Sequence, residues 1–97
     1  MALRSGIYED RYGNLYWLQK ELLHREDGPA IVQVNGTRIW YQNDQRHRLD
    51  GPAIECADGS CEWWIDGEEY TEEEYEHDRR VRKSEILLRK WGLSVDA

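Results

Sequence analysis

Apolar and polar positions along this chain fall into blocks, and the blocks recur every 23 residues. The segment AIVQVNGTRIWY (residues 30–41) sets β-branched and aromatic residues on either side of Asn35-Gly36, a strong short-range signal for a β-hairpin. AIECADGSCEWW (residues 53–64) repeats the arrangement around Asp58-Gly59, and IYEDRYGNLYWL (residues 7–18) is a weaker copy around Tyr12-Gly13. Between the hairpins lie HREDGP and HRLDGP, in which glycine admits positive φ and proline fixes φ without an amide hydrogen. Aligning residues 24–46 with 47–69 gives nine identities in 23 positions, which marks a tandem repeat. The pattern predicts six short antiparallel strands in a meander, three hairpin repeats over residues 6–70 with the first degenerate.

The pattern changes at Thr71. Thr71 and Glu74 have capping-box spacing, Glu72, Glu73 and Glu76 fill the first turns, and Arg79, Arg80, Arg82, Lys83, Arg89 and Lys90 follow. Gly92 stands where a helix stops. A helix over 72–91 is predicted, docked on the sheet through Val81, Ile86, Leu87, Leu88 and Trp91, with a tail over 93–97. The expected fold class is α+β: an antiparallel meander of three hairpins with a C-terminal helix packed on it, in a single domain.

If Asn35-Gly36 and Asp58-Gly59 are two-residue turns, strand alternation sorts the side chains onto two faces. Tyr8 with Trp17, Ile31 with Trp40 and Ile54 with Trp63 then share a core face with the cysteines. The opposite face carries Ile7, Glu9, Tyr16, Leu18, Val32, Ile39, Tyr41, Glu55, Glu62 and Trp64. Glu55 and Glu62 would oppose each other directly, a destabilising pairing unless a cation or a basic partner meets them. Cys56 and Cys61 would also face each other, reduced in one reading and disulfide-bonded in the other.

Composition narrows the function classes. A chain of 97 residues is near the lower limit for a self-sufficient core. With no Phe, its five Trp and six Tyr must supply the bulk. The net charge of −7 argues against a general phosphate-binding surface and for a basic partner or charge mimicry. No apolar run is long enough to span a bilayer and the first residues lack a secretory core, so a cytoplasmic location is expected. Two cysteines make neither a disulfide framework nor a zinc site; no metal or cofactor is expected.

Tandem HR-x-DGPA units, each followed by Asn-Gly or Asp-Gly and then Trp-Tyr or Trp-Trp, and closed by a Y-T-x-E-E helix, resemble the small MORN-like HRxDGPA repeat proteins of tailed phages. The resemblance covers roughly residues 13–76 and implies a hairpin-repeat sheet and a phage or mobile-element setting. It implies no shared chemistry. This chain departs from the pattern in its degenerate first unit and in Cys56 and Cys61.

His24, Arg25 and Asp27, with their copies His47, Arg48 and Asp50, contain His and Asp, a common proton-transfer set. An active site is usually one asymmetric constellation. A group that recurs at every connection is better explained as a joint, with Arg pairing with Asp and His packing beside a Trp. Function is then expected where the copies differ. One candidate surface is Glu55, Glu62, Trp64, Tyr41 and Tyr16. The second is the acidic run DGEEYTEEEYEHD, with Glu68, Glu69, Glu72, Glu73 and Glu76 beyond what capping needs. The expectation is a non-enzymatic acidic protein, phage-encoded, that inhibits a host defence complex by covering a nucleic-acid-binding surface. It would make no direct contact with nucleic acid or membrane, and a sheet edge offers a route to a homodimer. The alternatives are a sponge for a nucleotide-like signal, an enzyme using His24 or His47, and a virion component.

Overall fold

The computed structural model describes residues 5–78. Its strands are β1 (Gly6–Glu9), β2 (Leu15–Gln19), β3 (Leu22–Leu23), β4 (Ile31–Val32), β5 (Arg38–Ile39), β6 (Tyr41–Gln42), β7 (Gln45–Arg46), β8 (Ile54–Glu55), β9 (Cys61–Ile65) and β10 (Glu68–Tyr70), followed by helix α1 (Glu72–His77). An antiparallel sheet runs β1-β2-β4-β5-β8-β9-β10, with β3 also on β2, and β6 and β7 form a separate ladder. This is the α+β meander the pattern predicts, with ten strands where six were expected. The described helix ends at His77, and the expected docking residues Val81, Ile86, Leu87, Leu88 and Trp91 lie outside the described residues.

Each repeat holds two turns of different kinds. The first is the predicted hairpin, but its loop has three residues. The amides of Gly13, Gly36 and Gly59 donate to the carbonyls of Asp10, Gln33 and Cys56 at 3.1, 2.9 and 2.9 Å. The three glycines have φ of +91, +97 and +92°. A three-residue loop of this type needs glycine in the left-handed region at its third position. The second turn has two residues, Lys20-Glu21, Asn43-Asp44 and Asp66-Gly67, all with positive φ and spaced by the same 23 residues. It folds β3 onto the far half of β2, β7 onto β6, and β10 onto β9.

The extra loop residue moves every predicted hairpin register by one, which overturns the expected faces. Trp17 opposes Ile7, Ile31 opposes Ile39, and Ile54 opposes Glu62. Tyr8, Tyr16, Ile31, Ile39, Ile54 and Glu62 therefore form one cross-strand row. Glu9, Leu15, Val32, Arg38, Glu55 and Cys61 form the next row, on the other face. Glu55 thus opposes Cys61 rather than Glu62, and the cysteines do not face each other across the strands; both are free thiols.

The repeats are locked together by main-chain bonds that recur at the same spacing. Trp17 and Trp40 donate to the carbonyls of Ala30 and Ala53, and His24 and His47 donate back to Trp17 and Trp40. The Asn14 Oδ1 accepts the Val34 amide and the Thr37 Oγ1 accepts the Ala57 amide. Both acceptors reach from one hairpin loop to the next. Among the described residues the buried core is thin: Ala30, Ala53 and Ile65 are fully buried, with Ile31, Ile54 and Tyr75 nearly so. The tryptophans at 17, 40, 63 and 64 are half-buried.

Candidate functional site

The HRxDGPA segments are assembled in nearly the same way twice. The Arg25 guanidinium lies 4.1 Å from the Trp17 ring centre and Arg48 lies 3.8 Å from that of Trp40. The Nε of each donates to the Asp two residues on, Asp27 or Asp50, at 2.9 Å, and Nη1 donates to the Pro29 or Pro52 carbonyl. A Cβ on Gly28 or Gly51 would come within 2.8 or 2.9 Å of that guanidinium carbon. Glycine is there because arginine packs flat against its Cα. The arginine side chain ties both ends of the connection to the tryptophan of the preceding hairpin, and cation–π stacking of this kind contributes about 0.5–2 kcal/mol.

The histidines hold the second turns. His24 Nδ1 accepts the Asn43 amide at 3.1 Å, and His47 Nδ1 accepts the Asp66 amide at 3.0 Å. The Asp66 carboxylate also lies 3.0 Å from His47 Nδ1, but one nitrogen cannot accept the amide and donate to the carboxylate. The amide bond is shared by both repeats, so it is the one that defines the joint. Each ring nitrogen that would act as a base is thereby occupied by a neighbouring turn. Asp27 is held below the usual carboxylate range by its hydrogen bond from Arg25. The motif works as a joint.

α1 stands where a third such joint would follow. Position 71, one repeat after Arg48, is Thr71, the N-cap: its side chain accepts the Glu74 amide while Glu74 accepts the Thr71 amide. Trp63 is covered by Tyr75, with ring centres 6.5 Å apart, instead of by an arginine. The Tyr75 hydroxyl donates to the Arg48 carbonyl at 2.6 Å and accepts the Gly51 amide at 3.1 Å. Burial raises this phenol's pKa. Through Tyr75, α1 thus covers Trp63 and the second joint.

The first candidate surface is largely consumed by the chain itself. Glu55 accepts from Arg38 Nη2 at 2.7 Å and from Arg48 Nη1 at 2.9 Å, and its side chain is only 26% exposed. Glu62 accepts the Trp64 indole N–H at 3.0 Å. Tyr16 donates to Asp10. Arg46 lies 5.9 Å from the Tyr41 ring centre and 4.8 Å from that of Trp64, and its buried Nε has no hydrogen-bond partner among the described residues. These two aromatics therefore present a cation-lined surface rather than an open slot for a base.

The second surface is different. Glu68 and Glu69 on β10 and Glu72, Glu73 and Glu76 on α1 are all exposed. None is ion-paired among the described residues; Glu68 accepts only the Tyr70 hydroxyl, at 3.3 Å. β10 and α1 are consecutive and both pack on β9, so the five carboxylates gather at the C-terminal end of the array. Repetition pointed to the joints, and the capping box pointed to α1. The doubly paired role of Glu55 depends on Arg38 lying opposite it, which follows only from the corrected register.

Among the described residues no cluster of His, Cys, Asp and Glu could hold a metal ion, and no helix is long and apolar enough to cross a membrane. In comparison with known proteins, no family model matches the chain, and no curated protein or solved structure matches it.

Proposed function

We propose that the chain is a non-enzymatic binding protein that docks the acidic face formed by β10 and α1 against a basic protein surface. The observation that carries this reading is the exposed group Glu68, Glu69, Glu72, Glu73 and Glu76, left without basic partners among the described residues while Asp50 and Glu55 are paired with arginine. Carboxylates left in this way add long-range attraction to a cationic partner and speed its capture. The phage setting implied by the HRxDGPA resemblance makes the favoured partner a host nucleic-acid-binding defence complex, inhibited by occupation of its nucleic-acid groove. The occupation of His24 Nδ1 and His47 Nδ1 by backbone amides supports a scaffold role for the repeats over a catalytic one. The cation between Tyr41 and Trp64 counts against a stacking site for a nucleotide-like signal.

The test is capture from bacterial lysate at low salt with the native chain and with a Glu68, Glu69, Glu72, Glu73→Gln variant, followed by affinity measurement on the captured complex. A nucleic-acid-binding complex held by the native chain, lost by the variant and weakened by salt is expected. Equal affinity of the two baits at low salt would remove the charge-driven mechanism.

A further inference from the structure

The two ends of the repeat array carry complementary halves of one interface. Inside the chain, the first strand of each later repeat pairs with the hairpin before it: β4 with β2 through Val32 opposite Leu15 and Ile31 opposite Tyr16, and β8 with β5 through Glu55 opposite Arg38 and Ile54 opposite Ile39. At the N-terminal end β1 is the equivalent of β4 and β8, with Tyr8 and Glu9 in the places of Ile31 and Val32. No described strand lies on its outer side. At the C-terminal end Cys61 and Glu62 occupy the places of Leu15 and Tyr16, and β10 pairs only with Trp63–Ile65 of β9. Among the described residues no strand pairs with the Cys61–Glu62 edge.

The peptide groups at these edges point the right way. The Asp10 amide donates to the Asn14 carbonyl and the Cys56 amide to the Ser60 carbonyl. In antiparallel ladders, bonded and non-bonded pairs alternate. Glu9 opposite Leu15 and Cys61 opposite Glu55 are therefore non-bonded pairs, and the N–H and C=O of Glu9 and Cys61 face outward. The side-chain lock has its counterparts as well. Asn14 and Thr37 accept the amides of Val34 and Ala57; the next acceptor in the series is Ser60, and the matching amide on an incoming first repeat is that of Arg11. The incoming edge is also apolar: Ile7 is 65% exposed.

We propose that a second copy of this chain continues the array head to tail, its β1 adding to the Cys61–Glu62 edge of β9. Glu9 of the incoming copy then opposes Cys61 and Tyr8 opposes Glu62, with the paired Glu9 and Cys61 peptides and an Arg11 amide to Ser60 Oγ closing the contact. The interface is heterologous, so each addition leaves both ends open for another. It is a short ladder and hence weak, and the chain's net negative charge opposes it. Salt therefore strengthens this association while it weakens docking to a basic partner, which separates this proposal from the function proposed above.

Sedimentation velocity of the full chain under reducing conditions, from about 10 µM to about 1 mM, tests it. Progressively larger species that grow with concentration and with salt are expected. The decisive variant is Cys61→Arg, which places across the copies the same Arg-to-Glu opposition that Arg38 and Glu55 make within one. It should tighten association about two- to five-fold, and adding Glu9→Arg should remove the gain. A monomer throughout, for both the native chain and Cys61→Arg, overturns the proposal. So does a dimer that saturates and ignores both substitutions, since that would be a symmetric pairing through another edge.

Discussion

Asp10 stands at the neck of the first hairpin and accepts from the Tyr12 and Asn14 amides, the Asn14 side chain and the Tyr16 hydroxyl. These bonds, led by the Asn14 side chain, hold its carboxyl at about 2, below the ordinary 3.8, and the same carboxylate raises the Tyr16 phenol. A depressed carboxylate contributes stability that is complete above its unfolded pKa and is lost as pH falls through the folded value. Thermal melts between about pH 5 and pH 2 should show a steep loss for the native chain and a shallower one for Asp10→Ala, which starts from a lower melting temperature at pH 7. Glycines give a second residue-scale test, because they serve two different purposes. At Gly36 an added Cβ meets nothing within 4 Å, but φ is +97°, so Gly36→Ala costs about 1–2 kcal/mol through backbone strain. At Gly51 an added Cβ would displace the Arg48 guanidinium from Trp40, and overpacking of this kind costs about 1–3 kcal/mol. Urea denaturation measures both. Only Gly51→Ala should also change tryptophan fluorescence in the folded state.

At the scale of elements, α1 depends on one side chain. It has six residues, too few to hold together as an isolated helix, and Tyr75 is its buried residue. Tyr75→Phe keeps the ring on Trp63 but leaves the Gly51 amide and the Arg48 carbonyl without the hydroxyl they share. A loss of about 1–3 kcal/mol in urea is expected, with the helix signal in far-UV circular dichroism weakening ahead of the sheet. The capping box that starts α1 was legible from Thr71 and Glu74, because that motif is local and its spacing is diagnostic. The hairpins and their repeat were legible for the same reason. Their register was not. Asn35-Gly36 fits a two-residue turn as well as the last two positions of a three-residue loop, and only the Gly36-to-Gln33 bond decides between them. That single residue exchanged the partners of Glu55 and separated the cysteines, so the expected opposition of Glu55 and Glu62 does not form. The second turns were partly legible: Asn43-Asp44 and Asp66-Gly67 suit positive φ, but Lys20-Glu21 does not, and the weakest copy concealed the series. Arg25 and Arg48 stacking on tryptophan could not be read from spacing alone, because it depends on two hairpins meeting.

Across the whole molecule the fold behaves as a row of units in which each touches its neighbours, so stability should be distributed by position. The N-terminal unit has a fully exposed edge strand, β1, and is held to the rest largely through the first joint and the β2–β4 ladder. The second joint sits between two flanking units, and its arginine binds Trp40, Asp50, the Pro52 carbonyl and Glu55 while its carbonyl holds Tyr75. Arg25→Ala and Arg48→Ala remove the same group from the same motif, yet they should not have the same reach. In hydrogen exchange, Arg25→Ala should speed exchange over residues 6–24 and leave 53–70 near native protection, because the first unit opens without the others. Arg48→Ala frees α1 and loosens the contacts on both sides of the joint, so exchange should rise from residue 31 to residue 77. If the two variants instead raised exchange uniformly and equally, the chain would be unfolding as one cooperative block, and position within the array would carry no energetic meaning.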